Sequence, residues 1–188
     1  MRRLRQAHKE GSAEGAAFRD PLRGLPGPVG AVVERASTRT GRLAALFLGL
    51  TACLLFADQL TKLLALRFLL PGRPIPLIGD WVRLALTLNV GSAFGIVSRW
   101  WVPLAAGAAV CAAIILYAAA GRGLARHPQH APALGLVFGG SLGNLLDRLR
   151  MRAVIDFIDI RWWPVFNVAD IGITVGFVLL AVSLLRRR

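Results

Sequence analysis

Residues 165–185 read VFNVADIGITVGFVLLAVSLL, an apolar run long enough to cross a bilayer as helix, with one acid, Asp170, three positions after Asn167. An ionised aspartate in a membrane helix costs about 2.5–3.5 kcal/mol at mid-depth and less near the interface. The run thus places the chain in a membrane and demands a reason for its carboxylate. Asp170 could cap the helix, pair with Arg148 or rest at the interface, and each of these plain readings is sufficient when the segment is taken alone.

Three more apolar runs precede it, at about 43–64, 100–121 and 131–149, in a chain of 188 residues that is 55% hydrophobic with mean hydropathy +0.57. The expected architecture is an all-α integral membrane protein of four transmembrane helices. Nine of the 23 basic residues fall in the first 42 positions, Arg122 and Arg126 lie between the second and third runs, and Arg186, Arg187 and Arg188 close the chain. Four alternating spans put all of these on one side, so by the positive-inside rule both termini face the cytoplasm. The net charge of +13 then reads as topology and attraction to anionic lipid rather than as a nucleic-acid footprint.

Residues 1–41, rich in Arg, Ala, Gly and Pro, are expected to form a disordered basic cytoplasmic tail, and 42–188 the membrane domain. After Glu34 the chain has no glutamate and only six aspartates: Asp58, Asp80, Asp147, Asp156, Asp159 and Asp170. In this topology all six fall at or near the outer ends of spans or in outer loops. His8, His127 and His130 fall on the cytoplasmic side. Cys53 and Cys111 have no companion at ligand spacing, so neither a disulfide nor a metal site is expected.

Polar residues recur at helical spacing. Asp58 and Lys62 are four apart, acid before base, and can pair on one face. Gly135, Gly139 and Gly143 make one face of the third run nearly flat, open to close approach by another backbone. Beside them Gly140, Asn144 and Arg148 form an inward stripe, and the arginine calls for an anionic partner. In the fourth run Asn167, Asp170 and Thr174 share a stripe, with Gly172 and Gly176 on another face. Between the first and second runs, VRLALTL alternates with period two and suggests short strands of a small outer sheet, edged by Trp81, Trp100 and Trp101 as interfacial anchors.

Asn144, Arg148, Asp156, Asn167 and Asp170 therefore belong at one membrane depth. With no histidine, nucleophilic cysteine or zinc set on that side, a carboxylate pair remains: two close acids share a proton, one acting as base on water and the other as acid to the carbonyl and leaving amine. A turn at Trp163-Pro164 can bring Asp170 back towards the preceding segment. The partner of Asp170 stays open among Asp156, Asp147 and Asp159.

Five ordered motifs across residues 42–185 resemble the bacterial lipoprotein signal peptidases (signal peptidase II). They are Asp58-Gln59-Leu60-Thr61-Lys62, Asn89 to Phe94, Gly143 to Arg148, Val154-Ile155-Asp156-Phe157-Ile158, and Phe166 to Asp170. The resemblance implies a four-helix membrane aspartyl endopeptidase with a small extracytoplasmic β-cradle. Such an enzyme removes signal peptides from diacylglyceryl-modified prolipoproteins by cutting before the lipidated cysteine. It places Asp156 and Asp170 on the catalytic dyad. Asn89, Gly91, Asn144, Arg148 and Asn167 fall on positions that line and orient the site, and Asp58 and Lys62 on a motif needed for activity or stability. It further implies a monomer in the bacterial cytoplasmic membrane, acting at the outer face on a lipidated substrate amid membrane lipid, with no metal and no cofactor. A proton-coupled transporter and a non-catalytic helix scaffold are the competing classes. Against the first, the acids cluster at one face; the second leaves the Asn144/Arg148 and Asn167/Asp170 stripes without a purpose.

Overall fold

The computed structural model describes residues 28–91, 101–120 and 127–186. These residues form four long helices, α1 (Pro28–Phe68), α2 (Trp101–Ala119), α3 (His130–Met151) and α4 (Val168–Leu185), and three strands, β1 (Ile75–Ile78), β2 (Val82–Asn89) and β3 (Val154–Asp159). Ser92, Ala93, Phe94, Trp100, Arg122, Arg126, Arg187 and Arg188 lie outside the described residues.

The chain divides into two units, Met1–Arg39 and Thr40–Arg188. The expected disordered tail needs a correction over its last part, because helix α1 begins at Pro28 and residues 28–41 are helical. Proline suits the first helical position, its missing N–H being one that a helix start cannot use anyway, and Ala, Glu and Arg after it are good helix formers. Residues 1–27 lie outside the described residues.

Three stretches, Ala31–Phe68, Trp101–Ala119 and Val168–Leu185, are long and apolar enough to cross a membrane. Helix α3 is not among them. His130, Asp147, Arg148 and Arg150 interrupt its apolar composition, and it is the most buried of the four helices, with polar groups facing protein. Its glycines do what their spacing suggests. A Cβ on Gly135 would lie 2.8 Å from the Phe47 carbonyl oxygen, and one on Gly139 2.9 Å from that of Thr51, so the backbones of α1 and α3 meet directly. On the neighbouring face a Cβ on Gly140 would lie 2.5 Å from the Ala169 carbonyl oxygen, which seats α3 against the start of α4. Phe47, Ile114, Leu134 and Val137 fill the space between α1, α2 and α3.

The sheet is antiparallel in the order β1-β2-β3. Strand β2 is where the period-two alternation places it. Strand β3 was hidden in the sequence because it is buried on both sides, so its apolar residues run on without alternating. Its register with β2 sets Asp156 opposite Thr87 and Val154 opposite Asn89. On the other edge Ile158 exchanges backbone hydrogen bonds with Phe166, 2.8 and 3.0 Å, so the turn through Trp163-Pro164 folds back onto β3 just before α4 begins. Ala65, Leu69 and Phe157 anchor this sheet to the end of α1.

Candidate active site

Strand β3 and helix α4 bring Asp156 and Asp170 to one cavity of about 250 Å³, lined also by Asn89, Asn144, Arg148, Phe166 and Thr174. Asp156 is 2% exposed. Asp170 is the third residue of α4 and forms a reciprocal cap with Asn167: the Asp170 N–H donates to Asn167 Oδ1 at 3.0 Å, and the Asn167 N–H donates to Asp170 Oδ2 at 3.2 Å. Capping is thus one role of Asp170. Its other carboxylate oxygen faces the site.

Three asparagine side chains hold the two carboxylates. Asn167 Nδ2 donates to Asp156 Oδ1 at 2.7 Å, Asn89 Nδ2 to Asp156 Oδ2 at 3.1 Å, and Asn144 Nδ2 to Asp170 Oδ1 at 2.8 Å. The two ends of an amide look alike in shape, so its neighbours must decide which end points where. Here each amide oxygen faces a group that can only donate: Asn89 Oδ1 the Gly91 N–H at 3.1 Å, Asn167 Oδ1 the Asp170 N–H, and Asn144 Oδ1 the Lys62 ammonium at 2.9 Å. With all three oxygens committed, all three NH₂ groups are turned on the carboxylates. Gly91 acts through its backbone, closing a two-residue turn on Asn89.

Burial, then the neighbouring Asp170 charge, pushes the Asp156 carboxyl up to about 7, against the opposing pull of the Asn89 and Asn167 hydrogen bonds and the Lys62 charge. A carboxyl poised there is divided between its protonated and ionised forms near neutral pH, so it can both give and take a proton.

The remaining candidates separate. Asp159 is tied to Arg83 on β2, with Nε to Oδ2 at 3.0 Å and a second contact from the same guanidinium. Burial works to raise its carboxyl, but the Arg161 N–H and the Arg83 guanidinium outweigh that and hold it below the usual carboxylate range. Asp147 turns away from the cavity to Lys62. Arg148 lines the cavity but is not locked to an acid: it donates to the Asn144 carbonyl at 3.4 Å, and its charge acts most strongly on Asp170, then on Asp156. Asp58 and Lys62 pair at 2.8 Å behind the cavity rather than in it. The Thr174 hydroxyl donates to the Asp170 carbonyl, within its own helix.

Gln59 escaped the sequence reading. Its amide donates to Asp147 at 3.0 Å and to Asp58 at 3.3 Å, bridging α1 to α3. The signal was its place next to Asp58, but only the fold shows that Asp147 comes within its reach.

The model of the family described as signal peptidase (SPase) II matches residues 50–186. A lipoprotein signal peptidase of Rhodococcus jostii (strain RHA1) is 43% identical over 164 residues, 82% of this chain and 79% of that protein. One of Moorella thermoacetica (strain ATCC 39073 / JCM 9320) is 40% identical over 139 residues, 74% of this chain and 92% of its own. Among solved structures, a bacterial membrane enzyme determined by the in meso method at 2.3 Å superposes with TM-score 0.68 at 26% identity, covering 74% of this chain and 87% of that one.

Proposed function

The chain belongs to the signal peptidase II family, and from that membership we propose that it is a membrane aspartic endopeptidase that cleaves diacylglyceryl-modified prolipoproteins just before the lipidated cysteine. The observation that carries the reading is the pair of carboxylates, Asp156 and Asp170, on one cavity and both hydrogen-bonded to Asn167, the first to its side-chain NH₂ and the second to its main-chain N–H. In the reaction Asp170 takes a proton from water as its oxygen attacks the scissile carbonyl carbon, and Asp156 gives its proton to the carbonyl oxygen. The resulting gem-diol collapses as one hydroxyl returns a proton to Asp156 and Asp170 protonates the leaving nitrogen. The C–N bond breaks, leaving a carboxylic acid on the signal peptide and a free amine on the lipidated cysteine. Arg148, which lines the same cavity, stabilises the carboxylate charge.

Helix α3 is the fourth span in this reading, tolerated in the membrane because its polar face is covered by α1 and α4. The sheet, the dyad and the exposed Trp81 and Trp162 then share the outer face, with both termini in the cytoplasm. The lipid chains and signal helix of the substrate supply the binding energy, and the protein works as a monomer without metal or cofactor.

The test is cleavage of a diacylglyceryl-modified prolipoprotein peptide by the purified protein in detergent, beside Asp156→Asn, Asp170→Asn and the same peptide without lipid. The expected outcome is cleavage of the lipidated peptide alone, with each variant folded and slowed by about 10³-fold or more. Normal turnover by either variant sinks the dyad.

A further inference from the structure

Asn89 and Asn167 are oriented by main-chain N–H groups, held by the fold itself. Asn144 is oriented by side chains, the Asn167 NH₂ at 3.1 Å and, closer, the Lys62 ammonium at 2.9 Å, which must itself be held.

Lys62 is 1% exposed, and its Nζ has three N–H bonds and no capacity to accept. All three are used: Asp58 Oδ2 at 2.8 Å, Asp147 Oδ2 at 2.7 Å and Asn144 Oδ1 at 2.9 Å. Asp58 lies one turn back on the same helix, its other oxygen fixed by the Ala169 N–H at 3.0 Å. Gly143 leaves the room: a Cβ there would run into the Asp58 carboxylate. Asp147 comes from α3, three residues after Asn144, so the two reach the ammonium from adjacent positions of one helix.

Asp147 is in turn gripped from outside. Gln59 Nε2 donates to its Oδ1 at 3.0 Å, and Arg150 donates to Gln59 Oε1 at 3.0 Å. The Ile155 N–H, one residue before Asp156, reaches Asp147 Oδ2 at a long 3.4 Å. Asp147 is 3% exposed, does not line the cavity and has both oxygens engaged, so it has no path to substrate.

We propose that Asp147 is a positioning residue for the hydrolysis proposed above, on which this inference rests: it holds the Lys62 ammonium against Asn144 Oδ1, so that the Asn144 NH₂ stays aimed at Asp170. A helix interface alone could be built more cheaply from apolar residues, since buried charges repay their desolvation poorly. The Lys62 ammonium is an obligate donor beside Asn144 and, together with the Asn167 NH₂ at 3.1 Å from the same oxygen, it opposes a turn of the amide that would present oxygen to the Asp170 carboxylate.

The experiment is a double-mutant cycle on kcat and KM for the lipidated peptide, with wild type, Asp147→Asn, Asn144→Ala and both together, and thermal unfolding of each in detergent. Asp147→Asn is expected to lower kcat by roughly 10–100-fold, as loss of an outer-shell partner does, with KM little changed. In the Asn144→Ala background it should lower kcat no further, because the group through which Asp147 acts is gone. Losses that multiply in the double variant, or a normal kcat per folded molecule in Asp147→Asn, overturn the proposal. If Asp147→Asn does not fold, the same cycle is run with Gln59→Met, which takes a donor from Asp147 at the half-buried side. A smaller, equally non-additive loss is expected there, and an additive one overturns the proposal. Failure of the functional reading is separate: wild type that does not cleave, or Asp156→Asn that does.

Discussion

Two pairs of aspartates lie within one polar cluster, Asp170 half-buried and the other three buried, and what lies between the members of each pair differs. Between Asp58 and Asp147 stands a cation, the Lys62 ammonium, bonded to both at 2.8 and 2.7 Å. Between Asp156 and Asp170 stands an amide, the Asn167 side chain, which donates to the first and accepts from the backbone of the second. A cation supplies charge as well as hydrogen bonds, whereas an amide supplies hydrogen bonds only. The second pair therefore needs a proton where the first has an ammonium, and a proton can be exchanged with a substrate. In the proposed reaction the same side-chain type is framework in one place and reagent in the other.

Removing the cation is the strongest way to break this contrast. Lys62→Met leaves Asp58 and Asp147 buried without their counter-charge and should cost about 3–5 kcal/mol, read as loss of thermal or denaturant stability in detergent. An unchanged midpoint would mean that the two pairs are not different in kind. A smaller effect comes from crowding one pair alone. Gly143→Ala pushes a methyl into the Asp58 carboxylate and should destabilise by about 1–3 kcal/mol, whereas Gly107→Ala on α2, with only Leu145 at 4.0 Å, should be close to neutral.

The pH dependence sharpens the other side. Asp156 titrates at about 7 in the folded chain against an ordinary 3.8. Between those values the folded protein keeps a proton that the unfolded chain releases, so this group's contribution to stability declines as pH rises from about 4 to 7. Activity that needs the shared proton should likewise fall as pH rises through about 7, on the alkaline limb of a kcat/KM profile. A profile flat to pH 9 would contradict the shared proton. Asp159 has the opposite sign: held below its ordinary range, it contributes stability above about pH 4 that is lost as pH falls. Its partner is partly exposed, so Arg83→Ala should cost only about 1 kcal/mol or less at pH 7.

Much of this protein is legible along the chain. Apolar length places α1, α2 and α4, the four-residue glycine repeat finds the α3 face that meets α1, and period-two alternation finds β2. These signals are local, since a helix or a half-buried strand writes its own periodicity into neighbouring residues. The motifs likewise name Asn89, Asn144, Asn167, Asp156 and Asp170 as residues that belong together. Three things escape local reading. Strand β3, buried on both sides, carries no alternation, and the helical start of α1 hides in a basic stretch of tail-like composition.

The third is the assignment of roles among the aspartates. Spacing treats Asp147, Asp156 and Asp159 alike as partners for Asp170, because each lies within a turn's reach of it. Their difference lies in what comes from elsewhere: Lys62 from α1 to Asp147, Arg83 from β2 to Asp159, and two asparagine amides from β2 and the α4 cap to Asp156. Chain order supplies the acids, but the cation or amide that faces each of them comes from another element, which only the packed fold brings within hydrogen-bonding distance.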